Sequence, residues 1–582
     1  MRRAPTLPYA QAGLSDEAAA AHALNRLAFG PRPGEAAEVA RRGVESWVDE
    51  QLAPPASDPD LDRRLADLDL LAWTTEEITS RYLTPAFALR RAVAEGAVPE
   101  GYGPRDAEVR DRLRAWMDQR QIRSVAELRR DLIRAKLTRA VHARAQLREV
   151  LTDFWFNHFN VDGRGGQILT VPTYERDAIR AHVFGQFRDL LGATARHPAM
   201  LTYLDNWQSR APSGTPVAFG RAPRRGGINE NYGRELLELH TLGVDGGYSQ
   251  ADVVAVARAF TGWSVIPNRG DPDAMEQVET GLARLESRGA PLVRDGLFVF
   301  RPNWHDAAPK TVLGRALPGG RGIEDGEDVL DLLAAHEATA SHIAHKLAVR
   351  FVDDDPDEGL VGRLADAFRR TDGDLGAVMR ALVADRAFWD AARSGPDGAP
   401  SKVKTPFEFV ASAARATGAD VEDVRGILGP LRDMGEPPFH AEPPTGFPDH
   451  AAAWVNAGLL LTRMNLGLRL AAGRVRGARP DLDALTGGRQ PESVDAALRT
   501  YVGALLPGRD PEPTVALLRP IVREPAFARR VAEAATRAEA ETAPALDDDG
   551  VFAETADAPL DADDTAAFVV GVVLGSPAFQ RQ

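Results

Sequence analysis

Three stretches of this chain gather the side chains from which acid–base, anion-binding or metal chemistry is built. Residues 227–244 place Asn229, Glu230, Asn231, Arg234, Glu235, Glu238 and His240 within one helical pattern. Residues 147–161 set Asn157, His158 and Asn160 among Phe154, Trp155, Phe156 and Phe159. The third stretch, Asn303-Trp304-His305-Asp306 followed by Lys310, falls on a loop after a β-rich segment, and loops are where binding residues concentrate. An imidazole can carry a proton near neutral pH, and a guanidinium can hold an anion. The catalytic candidates are therefore His158, Arg234, Glu235, His240, His305 and Asp306. Asn160, Asn231, Lys310 and Trp263 are the candidates for holding a substrate. His158 or His240 would act as general base and Arg234 as anion anchor. The same residues also fit a second reading, a buried network that fixes helix packing in a binding or assembly protein, because buried ionic groups are not in themselves evidence of catalysis.

Helical geometry limits what one segment can do. On a regular helix His240 shares a face with Gly233, Leu236 and Leu237, whereas Glu235 turns away beside Asn231 and Glu238. Glu235 and His240 therefore cannot bind one metal ion from a single helix. Asn229 is a suitable N-cap and Gly243 a suitable C′ residue. A histidine in the last turn would be favoured in its protonated form by the helix dipole. Arg234 can pair with Glu230 or Glu238. In the aromatic stretch, His158 shares a face with Leu147, Leu151 and Phe154, and a buried imidazole there needs partners for both ring nitrogens. His342 and His345, three residues apart, read as a solvated helix face. His197 before Pro198 reads as a helix end, and His336 as an N-cap.

The elements that would carry these residues are mostly helices, so the expected fold is mainly α, a multi-helix globular array with a small β-hairpin insertion near 290–315. Ser15 caps a helix through Leu27, and Gly30-Pro31 ends it before a helix toward Trp47 and Leu52. Apolar periodicity predicts further helices over about 76–96, 105–118, 124–160, 174–192, 230–242 and 249–262. Residues 296–300 and 310–313 are short, β-rich and flanked by turn residues, and form the insertion within about 267–314. Residues 434–448 are a Pro-rich loop, followed by a helix over 451–471. Residues 472–500 read as a linker or a loosely packed connection. The organisation expected is a helical domain over 15–475 and a helical extension over 476–582, with an acidic, mobile segment near 545–565. Phrases ending in an aromatic plug recur at 382–388, 521–527 and 573–579.

Composition narrows the function. The chain has 582 residues, 44% of them hydrophobic and 26% charged, the balance of a soluble globular protein. A net charge of −14 argues against general nucleic-acid binding. The arginine-rich run 120–148 reads as the solvated face of helices. With no cysteine there are no disulfides, thiolate zinc sites or iron–sulfur clusters, which leaves imidazole and carboxylate as metal donors. Zincin, nucleophile-elbow, Walker and dinucleotide motifs are all missing. No apolar h-region follows Arg2-Arg3, and no apolar run is long enough to span a membrane, so a cytoplasmic location is expected, with the periplasm or envelope as the alternative.

Several phrases together resemble the bacterial domain of unknown function 1800 family (DUF-1800). They include Ala23-Leu24-Asn25-Arg26-Leu27-Ala28-Phe29-Gly30-Pro31, Phe154-Trp155-Phe156-Asn157-His158-Phe159-Asn160-Val161, Arg196-His197-Pro198 and the 229–244 segment. Ala259-Phe260-Thr261-Gly262-Trp263, His305-Asp306, Lys310-Thr311-Val312-Leu313-Gly314, Lys404-Thr405-Pro406-Phe407-Glu408 and Met434-Gly435 complete the set, which covers roughly residues 15–475. The resemblance implies a mainly helical bacterial protein with no established reaction. It also implies a protein partner from the sulfatase-like DUF-1501 family, beside which many relatives are encoded. Relatives commonly carry export signals, and none is visible here. Gly446-Phe447-Pro448 stands where relatives usually have Gly-Trp.

Overall fold

The computed structural model describes residues 7–104, 106–220, 227–266, 272–395, 398–489, 491–524 and 565–582. The expected acidic segment and the first six residues lie outside them, as does the end of the 521–527 phrase. Helices make up 59% of the described residues, and the sheets among them have only two or three strands, so the fold is mainly α with small β insertions.

Side chains at the helix ends explain where the long periodic runs break. Ser15 accepts a hydrogen bond from Ala18 N and starts the Asp16–Leu27 helix. The run expected over 124–160 is two helices, Val125–His142 and Gln146–His158. Gln146 separates them by folding back: its Nε2 donates to the carbonyls of Ala140 and Ala143, while its Oε1 accepts from Phe29 N. One side chain thus satisfies two carbonyls at the end of the first helix, while Arg32 and Arg415 take that of Val141. His197 ends the Phe187–Arg196 helix and caps Pro198–Tyr203 through Nδ1, and His336 caps Glu337–Phe351 in the same way.

The β insertion expected near 290–315 is present and is built as a three-stranded sheet and a separate hairpin. Phe298–Phe300 pairs with Val293–Asp295 on one side and with Trp263–Val265 on the other, both antiparallel. Lys310–Val312 pairs instead with Arg315–Leu317. Leu313 and Gly314, both at positive φ, make the two-residue turn whose twist suits such a hairpin. The Pro272–Glu286 helix lies between the strands in sequence.

Residues 472–500 are not a loose connection. Ala478–Arg479 pairs with Asp420–Val421, and Leu485 and Leu498 are buried. One contiguous apolar core includes Leu14, Trp155, Phe409 and Phe579. The Thr565–Leu574 helix packs on Ala457–Ala471 through small residues, and a Cβ on Gly571 would stand 2.7 Å from Leu468 Cα. No helix among the described residues is long and apolar enough to cross a membrane.

Candidate functional site

His158 and His240 do meet, and His342 joins them. The rings of His158 and His240 are 6.3 Å apart, and those of His158 and His342 are 6.2 Å apart. His342 is thus partly buried, contrary to the solvated face expected, while His345 is exposed. His158 Nε2 lies 3.1 Å from the His240 carbonyl, and its buried Nδ1 has no hydrogen-bond partner among the described residues. His240 lies past the Glu230–Glu238 helix, in the turn that closes at Gly243. Its pKa is lowered to about 3 by burial, with Lys346 and His342 adding repulsion. The helix-dipole expectation therefore fails: desolvation outweighs the dipole. The cluster is a set of neutral imidazoles packed against Phe154, Trp155 and Phe159. Among the described residues, no group of three or more His, Asp or Glu is arranged to hold a metal ion.

The other members of the expected centre lie elsewhere. Asn231 is exposed, Arg234 and Glu235 are half-buried, and only Tyr232, Gly233, Leu236 and Leu237 of that helix are buried. Arg234 reaches Gln250 Oε1 at 3.0 Å and Glu230 at 3.6 Å. The segment is amphipathic rather than buried all round, so its polar groups face water. His305 and Asp306, expected on an exposed loop, are instead at 0% and 2% exposure. His305 Nδ1 contacts the Thr261 carbonyl, Arg258 pairs with Asp306 at 2.7 Å, and Lys310 binds Asp325 and the Asp306 carbonyl. These pairings close the β insertion onto the Gln250–Ala259 and Glu324–Ala334 helices. Trp263 is fully buried, and a Cβ on Gly326 would come within 2.6 Å of its ring. The arginine run is also only partly solvated, since Arg129 is buried and Lys136 pairs with Asp153 at 2.6 Å.

A separate polar cavity lies beside the same helix. It has a volume of about 50 Å³ and is bordered by Lys136, Asp153, Asn157, Asn160, Arg350, Glu408, Glu436 and Asp449, with Phe447 and Pro448 over it. That is room for a few water molecules. Its mouth lies among Asp153, Asn157 and Phe447, which are half-buried, and Pro448, which is exposed.

The roof is the Pro-rich loop, and side chains replace the partners its irregular backbone lacks. Asn157 Nδ2 donates to Phe447 O at 2.8 Å, and Phe447 N donates to Asn157 Oδ1 at 2.7 Å. Asn160 donates to the carbonyls of Ala441 and Pro443, Tyr203 to Glu442 O, and Trp454 to Pro448 O. Gly446 sits at φ +72°, and a Cβ there would lie 2.4 Å from Asn157 Oδ1, so only glycine fits.

The floor is built on the N-terminus of the Pro406–Ala416 helix. Thr405 and Glu408 form a capping box, and Glu408 is further held by Arg350 and Gln582. Burial would raise the Glu408 pKa, but Arg350 and these donors hold it below the usual range. Glu436, 8% exposed, accepts a hydrogen bond from Phe407 N at 2.7 Å. Burial, reinforced by Asp153, nonetheless lifts its pKa to about 8. Burial also raises Asp449, against the pull of Arg350 and Lys346. Lys136 is ringed by Phe156, Phe407 and Phe439, with Nζ 5.2–5.9 Å from their centroids. The cavity thus combines a neutral carboxylic acid, a carboxylate locked to arginine and a caged ammonium.

Residues 22–581 match the family described as "Protein of unknown function (DUF1800)". The chain belongs to the DUF1800 family. No solved structure matches it. The match reaches well past residue 475, where the recognisable phrases end. Of the residues singled out in this DUF1800 chain, Asn157 and Asn160 border the cavity, whereas Glu436, Asp449 and Arg350 were not singled out. The readable signals were Thr405-x-x-Glu408, which is a capping box, and a glutamate directly before Pro437-Pro438.

Proposed function

We propose that the cavity under the Pro-rich loop is an acid–base site, and that the protein is an enzyme acting on a small polar group presented at its mouth. The observation that carries this reading is Glu436: a buried carboxyl with a pKa of about 8, bordering a cavity that reaches solvent. Pairs of carboxyls whose environments drive their pKa values apart are how proteins separate an acid from its neighbouring bases. Here Glu408 is held ionised by Arg350, while Glu436 stays neutral near pH 7 and can donate a proton. Asp449, its proton affinity raised by burial, borders the same cavity as the matching base. Arg350 and Lys136 offset the negative charge that proton transfer leaves behind. A volume of a few waters supports water as co-reactant, and hydrolysis of a bond held under Phe447 is the reaction class favoured.

The alternative, a non-catalytic binding or assembly protein, is favoured by the fully buried knot of His305, Asp306, Lys310 and Asp325, which has the character of a fold-closing device. The acidic net charge favours a protein or small-molecule partner over nucleic acid, and a sulfatase-like partner and a cytoplasmic location remain part of this reading. The test is a panel of chromogenic esters, phosphoesters and glycosides assayed with wild type, Glu436→Gln and Asp449→Asn. Turnover that disappears in Glu436→Gln, with an unchanged fold and a limb of the pH–rate profile near pH 8, is expected. Turnover indifferent to both substitutions would overturn the assignment.

A further inference from the structure

Three apolar clusters converge at one junction, and Val265 packs against two of them. Leu83 and Phe87 belong to the cluster around Trp116, Leu169 and Trp207 pack on the main core, and Ile266 and Leu297 belong to the small cluster beneath the β insertion. Between them is a pocket of about 310 Å³, distinct in its lining from the acid–base cavity. That volume is at the lower end of the roughly 300–1,000 Å³ typical of small-molecule sites.

The lining states what chemistry it would accept. Every side chain bordering the pocket among the described residues is uncharged, in a chain of which 26% is charged. A charged ligand would therefore lose its hydration without gaining a counter-ion. Three of the few polar groups are already engaged with the backbone. Thr79 donates to Thr75 O, Thr170 donates to Gln167 O, and the Gln167 amide nitrogen donates to Ala199 O at 2.6 Å. The rest of the lining is mainly apolar, with Phe87 and Trp207 supplying two aromatic rings. We infer that this junction is a binding site for a neutral, mainly apolar small molecule, and that such a ligand fills the space between the three clusters.

N-phenyl-1-naphthylamine, a neutral dye with a single N–H that fluoresces in apolar surroundings, is the probe. Titrated into the full chain, it should bind saturably, one molecule per chain, with micromolar affinity. Gly166 offers the blocking substitution. It is not at positive φ, and a Cβ there meets only Thr84 Cγ2 at 3.7 Å, so Gly166→Phe projects into the pocket without backbone strain. A folded Gly166→Phe should bind the dye at least about tenfold more weakly. Competition in the wild type needs no variant: dodecanol should displace the dye at least about tenfold better than dodecanoate at pH 8, because the carboxylate finds no partner. Absence of saturable binding, full affinity in a folded Gly166→Phe, or equal competition by dodecanoate would each overturn the assignment.

Discussion

The side-chain amide of Asn157 pairs with the backbone of Phe447 through both of its groups, as one strand pairs with another. A residue on the helix that carries His158 thereby fixes the loop 290 positions away that roofs the acid–base cavity. Asn157→Ala removes both bonds and leaves the Phe447 N–H and C=O half-buried without partners. At about 1 kcal/mol for each lost bond plus the desolvation of the groups left behind, the loss should be roughly 2–4 kcal/mol. Gly446→Ala should act in the same direction, since its Cβ would displace the same amide. Both should lower the melting temperature and speed proteolysis within 437–448. An unchanged protease pattern would show that the loop is held by its other partners alone.

How much of this was legible in the sequence depended on where the partners lie. Ser15, Asn229, His197 and His336 cap helices as their local context predicts, because the group they satisfy is two or three residues away. Gln146 was not legible: it ties off a neighbouring helix and Phe29 at once, and nothing in its own stretch signals a break. His305-Asp306 reads as an exposed loop because its charges find Arg258 and Asp325 only after the insertion folds back. The cavity was missed for the same reason. Asp153, Arg350 and Glu408 come from three separate stretches and Glu436 and Asp449 from the two ends of the Pro-rich loop, and only the pairing of loop to helix assembles them. The 229–244 segment marked the family correctly, but density of polar residues there reflected a solvated helix face.

The Lys310–Asp325 pair should behave as a buried ion pair does when one partner is removed. Both side chains are at or below 1% exposure, and Asp325 also faces His305 and Arg321. Lys310→Met leaves a buried carboxylate short of its nearest cation, at a cost of about 3–5 kcal/mol. Removing both charges with Lys310→Met and Asp325→Leu should recover much of that loss. A double-mutant cycle on urea midpoints measures it. Additive single effects would sink the idea that the two charges stabilise one another.

The buried histidines set the acid limit of stability. His22, His197 and His240 are lowered to about 3 by burial, and His142 and His342 to about 4. Their folded pKa values lie below the unfolded 6.5, so the unfolded chain takes up protons first as pH falls. Their contribution is complete above pH 6.5 and is lost on the way down to pH 3–4. His240→Phe keeps a ring of similar size beside Phe159 and removes one titrating group. Between pH 6.5 and 4 its stability should fall less steeply than the wild type's, by about one proton's worth of slope. Parallel curves for the two proteins would mean that His240 is already protonated in the native state.

Glu436 gives the opposite signature. Its folded pKa of about 8 lies above the unfolded value of 4.5, so the native state holds a proton that the unfolded chain has released. The stability it contributes is fully present below pH 4.5 and is lost as pH rises through about 8. The raised pKa corresponds to roughly 3–5 kcal/mol across that window. Glu436→Gln keeps an acceptor for Phe407 N and cannot ionise. It should match the wild type near pH 5 and exceed it by several kcal/mol at pH 9, read as urea midpoints across the range. Such a gain would mean that the native carboxyl is kept at a cost to stability, as residues retained for chemistry are. Equal pH curves for the two proteins would place the proton elsewhere and remove the acid from the proposed acid–base pair.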